Sequence, residues 1–236
     1  MAIALSLVTF SPSALAADKG HNNVIVYWTN GDQLKAVTLT CLKDPPAPVG
    51  IVAVPVYASI DENNALITVE DYYHQNGRPA LTRHLEKLFG IPIDSYVHVE
   101  QDTLERFSDI LGPLRLGQTN TSLAEIFEGT YVDKPVNLQW EIRSLAGSML
   151  TPSVILKIPK LVWVYTTEIE SNLQVDHVLA LHGIIRGWGP EILQKQRVPG
   201  QDCKIGNRKY RVVPPGAWSQ TLQAVTTPEK RLRAAK

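Results

Sequence analysis

The hydrophobic and polar positions follow two periods along the chain, one typical of strands and one typical of helices. Residues 23–27 (NVIVY) and 35–42 (KAVTLTCL) are β-branched runs separated by Thr-Asn-Gly-Asp. Asn and Gly tolerate positive φ, so this pattern predicts two adjacent antiparallel strands. Residues 49–56 (VGIVAVPV) are almost wholly apolar, as in a strand buried on both faces, and Pro55 should end the pairing.

Longer segments follow the helical period. Residues 67–76 and 78–89 place apolar side chains along one face, with Pro79 in a first turn and Gly90 as a helix stop. Residues 95–99 alternate as a short strand. Residues 154–158 and 161–165 are strongly apolar, and 113–121 is typical of a loop. Further helices are predicted at 102–111, 123–127, 136–150, 174–185 and 217–225, and further strands at 192–198 and 208–213.

Strands and helices alternate without a repeat or a linker. The sequence therefore predicts a single α/β domain, with a central mixed β-sheet flanked by helices on both faces. A chain of 236 residues with 44% hydrophobic content can bury one full core. Its 23 basic and 23 acidic residues balance, and no basic recognition helix is present, so we expect no nucleic-acid partner.

The two ends of the chain carry their own signals. Residues 1–16 are an apolar run ending in Ala14-Leu15-Ala16, a spacing that a signal peptidase accepts. We expect a signal peptide or a short N-terminal anchor, and hence an extracytoplasmic protein of the cell envelope or a secreted one; the alternative is a buried N-terminal strand or helix. The basic tail, residues 226–236, either touches an anionic wall polymer or lipid headgroup, or is simply solvated.

Common catalytic signatures are missing from the sequence. There is no GxGxxG, GxxxxGK, HExxH or GxSxG. Glu70 and His74 have a metal-compatible i, i+4 spacing, but no third ligand is identifiable, which favours a solvated helix face. Cys41 and Cys203 lack the neighbours of a zinc site, and whether they pair depends on the fold.

One stretch resembles a known family. Residues 85–112, LEKLFGIPIDSYVHVEQDTLERFSDILG, are similar to the centre of the LytR-CpsA-Psr domain. The similarity extends to the strand-turn-strand at 39–60, the helix at 137–150, the segment 155–181 and the closing strand pair at 198–213. It therefore covers about residues 23–225, which we take as the extent of the domain.

The resemblance implies an activity and a partner. Members of the family are membrane-anchored extracytoplasmic phosphotransferases that move a glycopolymer from a polyprenyl-pyrophosphate carrier onto peptidoglycan. Their chemistry needs Mg²⁺, arginines that hold the pyrophosphate, and an acidic residue that activates the acceptor hydroxyl. The lipid tail lies in a tunnel between the sheet and its helices. The implied partner is thus a polyprenyl-linked lipid or an envelope glycopolymer, with peripheral contact to membrane or cell wall.

The sequence departs from the family at the residues that matter for catalysis. The Pro-Arg-Asp motif reads Pro55-Val56-Tyr57, the metal-binding aspartate falls near Lys35, and the Arg-Gln-Gln opening of the long helix reads Leu138-Gln139-Trp140. Losing charge-assisted contacts to a pyrophosphate forfeits several kcal/mol of binding. We therefore assign no catalytic residue, no metal ligand and no cofactor, with Mg²⁺ expected only if the family activity is retained.

Five residues remain candidates for contact with a ligand: Val56, Tyr57, Arg78, Arg83 and Trp140. Arg78 stands where the family has a Gly-Gly turn and Arg83 follows it, so the two are either a rebuilt anion site or surface charge. Tyr57 and Trp140 can fill the vacated pocket. Arg143 is expected to point outward from its helix.

These expectations favour one function and leave two alternatives. The first hypothesis is an exported LytR-CpsA-Psr-like protein that binds an amphipathic envelope ligand with little or no transferase activity. The alternatives are an active glycopolymer phosphotransferase with a rebuilt site, and a non-catalytic structural or regulatory interaction protein. An open apolar tunnel would separate the first hypothesis from the last.

Overall fold

The computed structural model describes residues 22–43, 45–62, 65–131 and 137–228. The predicted signal peptide or anchor at 1–16 lies outside the described residues, as does most of the basic tail, from residue 229 onward.

The first three strands form as the pattern predicts. Strands β1 (Asn22–Asn30) and β2 (Gln33–Leu42) pair antiparallel around a tight turn in which Gly31 has φ 56°. Strand β3 (Val49–Val54) pairs antiparallel with β2 and ends just before Pro55, which cannot donate a ladder hydrogen bond.

The two predicted helices at 67–76 and 78–89 are one kinked helix, α1 (Val69–Phe89). Gly77 adopts φ 74° and ψ 172° inside it and causes the kink. Residues 67 and 68 belong instead to strand β5 (Ala65–Thr68), which pairs with β4 (Ser59–Glu62). The helix starts later than predicted because the Thr68 hydroxyl accepts the Asp71 N–H at 3.1 Å, which makes Thr68 the cap.

The stop at Gly90 is confirmed, with φ 71°. The remaining elements, in chain order, are β6 (Ser95–Glu100), α2 (Gln101–Leu111), β7 (Leu114–Leu116), β8 (Thr119–Thr121), α3 (Leu123–Glu128), α4 (Leu138–Met149), α5 (Pro152–Ile155), α6 (Ile158–Glu168), β9 (Glu170–Ser171), α7 (Val175–Trp188), a 3-10 turn (Pro190–Ile192), β10 (Leu193–Arg197), β11 (Gln201–Ile205), β12 (Arg208–Val212) and α8 (Ala217–Thr226). The expected loop at 113–121 contains the β7–β8 hairpin, and the apolar segments at 154–158 and 161–165 are largely helical. None of the helices described is both long and apolar enough to cross a membrane.

The central sheet is mixed, as predicted. Its strand order is β10-β3-β2-β1-β6-β9. Strands β1, β3, β6 and β10 run in one direction, whereas β2 and β9 run against them. Helices cover both faces, so the predicted single α/β domain with a central mixed sheet is confirmed.

The two faces of the sheet differ in how well they are buried. One face packs against α1 and α8 in a continuous core that includes Ile25, Leu39 and Val52, none of them accessible to solvent. The other face carries two separate clusters. One surrounds Trp28 beneath α2 and α3, and the other surrounds Ile51 beneath α4 and α7. The first face therefore supplies most of the continuous apolar burial.

We predict that the contact between β3 and α8 tolerates no side chain at Gly50. A Cβ there would lie 2.8 Å from Thr226 Cγ2 and 2.9 Å from Val225 Cγ2. Gly50→Ala should lower the free energy of unfolding by about 1–3 kcal/mol, because the overpacked helix must shift.

Gly183→Ala is the matched control, since a Cβ on this α7 residue meets nothing within 4 Å and should stabilise the helix by up to about 1 kcal/mol. Urea unfolding of both variants measures the difference. Equal effects of the two substitutions would contradict the close packing of α8.

Candidate functional site

The four parallel strands end at one edge of the sheet, the usual place for ligands in open α/β sheets. Charged side chains from three elements meet near this edge. Arg78 comes from the kinked part of α1, His98 and Glu100 come from β6, and Glu170 comes from β9.

Arg78 is held by Glu170 through both arms of its guanidinium group. Nη1 donates to Oε2 at 2.9 Å and Nη2 donates to Oε1 at 2.5 Å, while the guanidinium carbon lies 4.1 Å from the centre of the Tyr96 ring. These hydrogen bonds lower the pKa of Glu170 from 4.5 to about 2. A bidentate anion would need the same two donors, so the pairing with Glu170 leaves Arg78 without a free pair of donors for such an anion.

His98 joins this cluster and was not among the residues singled out from the sequence. Its Nε2 lies 2.8 Å from the Thr29 hydroxyl, and its Nδ1 lies 3.4 Å from Glu170 Oε2. The order carboxylate, imidazole, hydroxyl is that of a hydrolytic triad. Thr29, however, is only 1% exposed, so its hydroxyl cannot reach a substrate and the arrangement ties β1 to β6.

Val56 and Tyr57 lie just beyond β3. Val56 packs against the core beneath α1, and its carbonyl accepts the Glu70 N–H at 2.9 Å. The Tyr57 ring lies beneath two cations of β12, with Lys209 Nζ 4.2 Å and the Arg211 guanidinium carbon 5.3 Å from its centre. The cations Lys209 and Arg211 therefore lie beside Tyr57, next to the position at which the resemblance places the family's arginine.

Asp202 partly neutralises these two cations. Its Oδ1 accepts from Arg211 Nε at 2.6 Å, and its Oδ2 lies 3.0 Å from Lys209 Nζ. The hydrogen bond from Arg211, then that from Lys209, lower the pKa of Asp202 to about 2. Sequence reasoning missed this pair. The signal was available, since residues 195–211 hold six of the 23 basic residues and one of the 23 acidic ones.

The remaining candidates lie elsewhere. Arg83 is exposed on α1. Trp140 is 44% exposed at the start of α4, faces the β7–β8 turn at Gly117, and lines an open surface cleft of about 740 Å³ together with Arg143. Arg143 does not point outward as expected. It turns towards β10 and donates to the carbonyl oxygens of Leu193 and Glu191 at 3.2 and 3.0 Å.

No hydrogen bond, ion pair or ring contact in the described part of the chain joins any two of Val56, Tyr57, Arg78, Arg83 and Trp140. Each is accounted for locally by packing, by an internal partner or by exposure. Their role in binding a ligand stays a prediction.

The described residues form no cluster of metal-ligating side chains. Within residues 22–43, 45–62, 65–131 and 137–228, no three His, Cys, Asp or Glu side chains are placed to share a metal ion. Glu170, a carboxylate near the edge of the sheet, is paired with Arg78. Magnesium is commonly held by one or two carboxylates together with waters and substrate phosphates, so its role here stays a prediction.

The second face of the sheet is incompletely buried at its centre, over a patch that we call the open floor. Val26, Thr38 and Ala53 are direct cross-strand neighbours on β1, β2 and β3, and all three are only partly buried. They lie on the face opposite the continuous core, because the neighbouring positions of each strand, such as Val37 on β2, point into that core. Central strands covered by helices are normally buried on both faces.

Helix α7 is also incompletely buried. No side chain of this largely apolar helix is fully buried, although Leu181, Ile184 and Ile185 pack against the Ile51 cluster. Two of its ring nitrogens, His177 Nδ1 and His182 Nε2, are shielded from solvent yet have no hydrogen-bond partner among the described residues. Such unpaired polar atoms are rare in finished cores.

Both cysteines are free thiols. Cys41 is buried in the core, and burial raises the pKa of its thiol to about 12, whereas Cys203 lies partly exposed on β11. No disulfide joins the two cysteines, a question that the sequence left open.

Comparison with known proteins identifies the fold. No family model and no curated protein sequence matches the chain. Among solved structures, TagV of Bacillus subtilis superposes with a TM-score of 0.68 at 16% identity, over 89% of this chain and 100% of that chain. The transcriptional regulator yvhJ, also from Bacillus subtilis, gives 0.66 at 15% identity, over 88% and 96%.

A third similar structure has a ligand in its description. TagT bound to LI-WTA superposes with a TM-score of 0.57 at 14% identity, over 97% of this chain and 93% of that chain. At these identities the likeness establishes the fold, and the LytR-CpsA-Psr-like architecture expected from residues 85–112 is confirmed.

The Arg78–Glu170 pair should make stability depend on pH. Because the folded pKa of Glu170 is about 2 against an ordinary 4.5, its contribution is fully present above about pH 4.5 and is lost as the pH falls towards 2. Glu170→Gln should therefore destabilise the protein at pH 7, by up to about 1 kcal/mol because the carboxylate is largely solvated.

The difference between wild type and Glu170→Gln should shrink steadily below pH 4.5 in urea unfolding at a series of pH values. Asp109→Asn, an exposed carboxylate on α2, is the control and should leave the pH profile unchanged. A constant gap from pH 7 to pH 3 would show that Glu170 acts through packing rather than charge.

Proposed function

We propose that this protein is an exported envelope protein that binds a polyprenyl-linked or similar amphipathic ligand, with little or no transferase activity. The observation that carries the proposal is the open floor formed by Val26, Thr38 and Ala53 beneath incompletely buried helices.

The open floor lies between two apolar walls. On β2, Ala36 packs against the Trp28 cluster and Leu42 packs against the Ile51 cluster, so Thr38 lies between them. Apolar surface exposed in the middle of a sheet costs free energy that a lipid chain would recover, at about 25 cal/mol per Å² covered. Apolar spaces with a few polar groups are typical of ligand sites.

Two further features support an amphipathic ligand. The shielded ring nitrogens of His177 and His182 on α7 lack partners that a polar group or water would supply. The fold is also that of TagT, whose structure is described as bound to LI-WTA, which favours an envelope glycopolymer or its lipid carrier as the ligand class.

Three features of the described residues favour binding of a ligand over its transfer. Val56 replaces the family's phosphate-holding arginine, Arg78 is engaged by Glu170, and the described residues include no cluster of metal ligands. A transferase must stabilise the charge that develops on the pyrophosphate as its bridging P–O bond breaks and polyprenyl phosphate leaves, and none of these groups supplies that stabilisation. The extracytoplasmic location is part of the proposal, and it rests on the signal-like sequence of residues 1–16.

One observation supports a second candidate, an active phosphotransferase with a rebuilt site. Lys209 and Arg211 bring two cations to Tyr57, and they share the single carboxylate of Asp202. A net positive charge remains there that could hold a phosphate. In a transfer reaction the acceptor hydroxyl bonds to the glycan-side phosphorus, the bridging P–O bond of the pyrophosphate breaks, and polyprenyl phosphate leaves. Release of polyprenyl phosphate from a polyprenyl-pyrophosphate-linked glycan in the presence of Mg²⁺ and an acceptor, abolished by Arg211→Gln, would favour this candidate over the first.

The binding proposal is tested by native mass spectrometry of the full chain mixed with a polyprenyl phosphate. We expect a near-stoichiometric complex. Ala53→Phe should weaken binding about tenfold or more, because the ring fills the open floor, while the melting temperature stays within a few degrees of wild type.

Thr38→Val is the matched control, since it keeps the volume of the neighbouring floor position and should retain binding. A bare protein mass with wild type, together with no thermal shift on adding lipid, would contradict the proposal. That result would favour the structural or regulatory interaction protein.

A further inference from the structure

The outer face of α5 and α6 exposes large apolar side chains. The backbone stays in the right-handed helical region through Leu156 and Lys157, so α5 continues into α6. Leu156, Lys160 and Trp163 follow one another at helical spacings of four and three residues and therefore share a face. Leu156 is 83% exposed and Trp163 is 58% exposed. We call these three residues the Leu156–Trp163 face.

This face is held firmly in its exposed position. On the inner side of the same helix, Val164 is completely buried and Leu161 packs against the Trp28 cluster. Lys157 Nζ donates to the Leu111 carbonyl at 2.7 Å, and Arg106 of α2 pairs with Glu168 at the end of α6. The exposure of Leu156 and Trp163 is thus fixed by contacts on the other side of the helix.

The free charge on the Leu156–Trp163 face is basic. Of the charged residues between 152 and 168, Lys157 is bonded to the Leu111 carbonyl, Glu168 is paired with Arg106, and Lys160 forms no ion pair with another described residue. Lys160 is exposed between Leu156 and Trp163. Trp prefers the boundary between headgroups and acyl chains, and Lys keeps its ammonium group among anionic headgroups while its stem covers apolar surface.

We propose that the Leu156–Trp163 face docks on a lipid bilayer that contains anionic lipids. Exposed Leu and Trp side chains beside an exposed Lys, on the outer side of a helix, fit a helix lying in the plane of the interface. The Lys160 ammonium group favours anionic headgroups, and the Trp163 ring favours the boundary with the acyl chains. The inference rests on the outer face alone and does not require a ligand on the inner floor.

Position-specific fluorescence tests the proposal on the full chain. The protein is mixed with vesicles of phosphatidylglycerol and phosphatidylcholine, with and without brominated acyl chains, which quench a tryptophan that enters the boundary. Trp163 should account for most of the quenching. Trp163→Phe should therefore abolish most of it, whereas Trp188→Phe, which removes another half-exposed tryptophan, should leave it intact.

Affinity for the vesicles gives a second readout. Leu156→Ser should weaken sedimentation with anionic vesicles about tenfold. Ile205→Ser, at an apolar side chain that is 53% exposed on the β11–β12 hairpin, should not. Binding should also fall as phosphatidylglycerol is replaced by phosphatidylcholine or as salt is raised.

Other results would overturn the proposal. Unchanged quenching in Trp163→Phe would mean that another segment, such as residues 1–16, makes the membrane contact. Equal binding to neutral and anionic vesicles would remove the role of Lys160. Self-association without lipid that Leu156→Ser abolishes would assign the face to a second copy of the chain.

Discussion

The one-sided burial of the central sheet is the constraint on which the rest of this structure depends. Leu39 and its neighbours on β1 and β3 are sealed beneath α1 and α8, with Gly50 allowing α8 to touch the strand. Because that face is close-packed, the opposite face does not need to be. The incomplete burial at Val26, Thr38 and Ala53 is tolerated because the opposite, packed face of the sheet supplies the stabilising apolar contacts.

The edge of the sheet shows how a charged site can be changed while the fold is kept. Arg78 carries a guanidinium fork that would suit a phosphate, yet Glu170 fills it, and the same carboxylate fastens the short strand β9 to β6. Both arms of the Arg78 guanidinium group are thus engaged within the chain. The cations that remain beside Tyr57 come from a different element, β12.

The fold and the individual side chains support different kinds of inference. The likeness to TagV and TagT, at 16% and 14% identity, establishes the fold and says nothing of the chemistry done by this chain. That chemistry depends on individual side chains. Val56 is apolar and Arg78 is paired with Glu170, so neither offers a free charge, whereas the outer face of α6 exposes Trp163.

The sequence by itself determined most of the elements and the class of fold, because strand and helix periods are local properties and Gly90 and Pro55 act on their own backbone. The resemblance around residues 85–112 supplied the architecture. Only the tertiary structure decided the partner of Arg78, the role of His98 and the placing of Lys209 and Arg211 at Tyr57. These contacts join residues far apart in the chain, 92 positions in the case of Arg78 and Glu170, and no local pattern specifies such pairs.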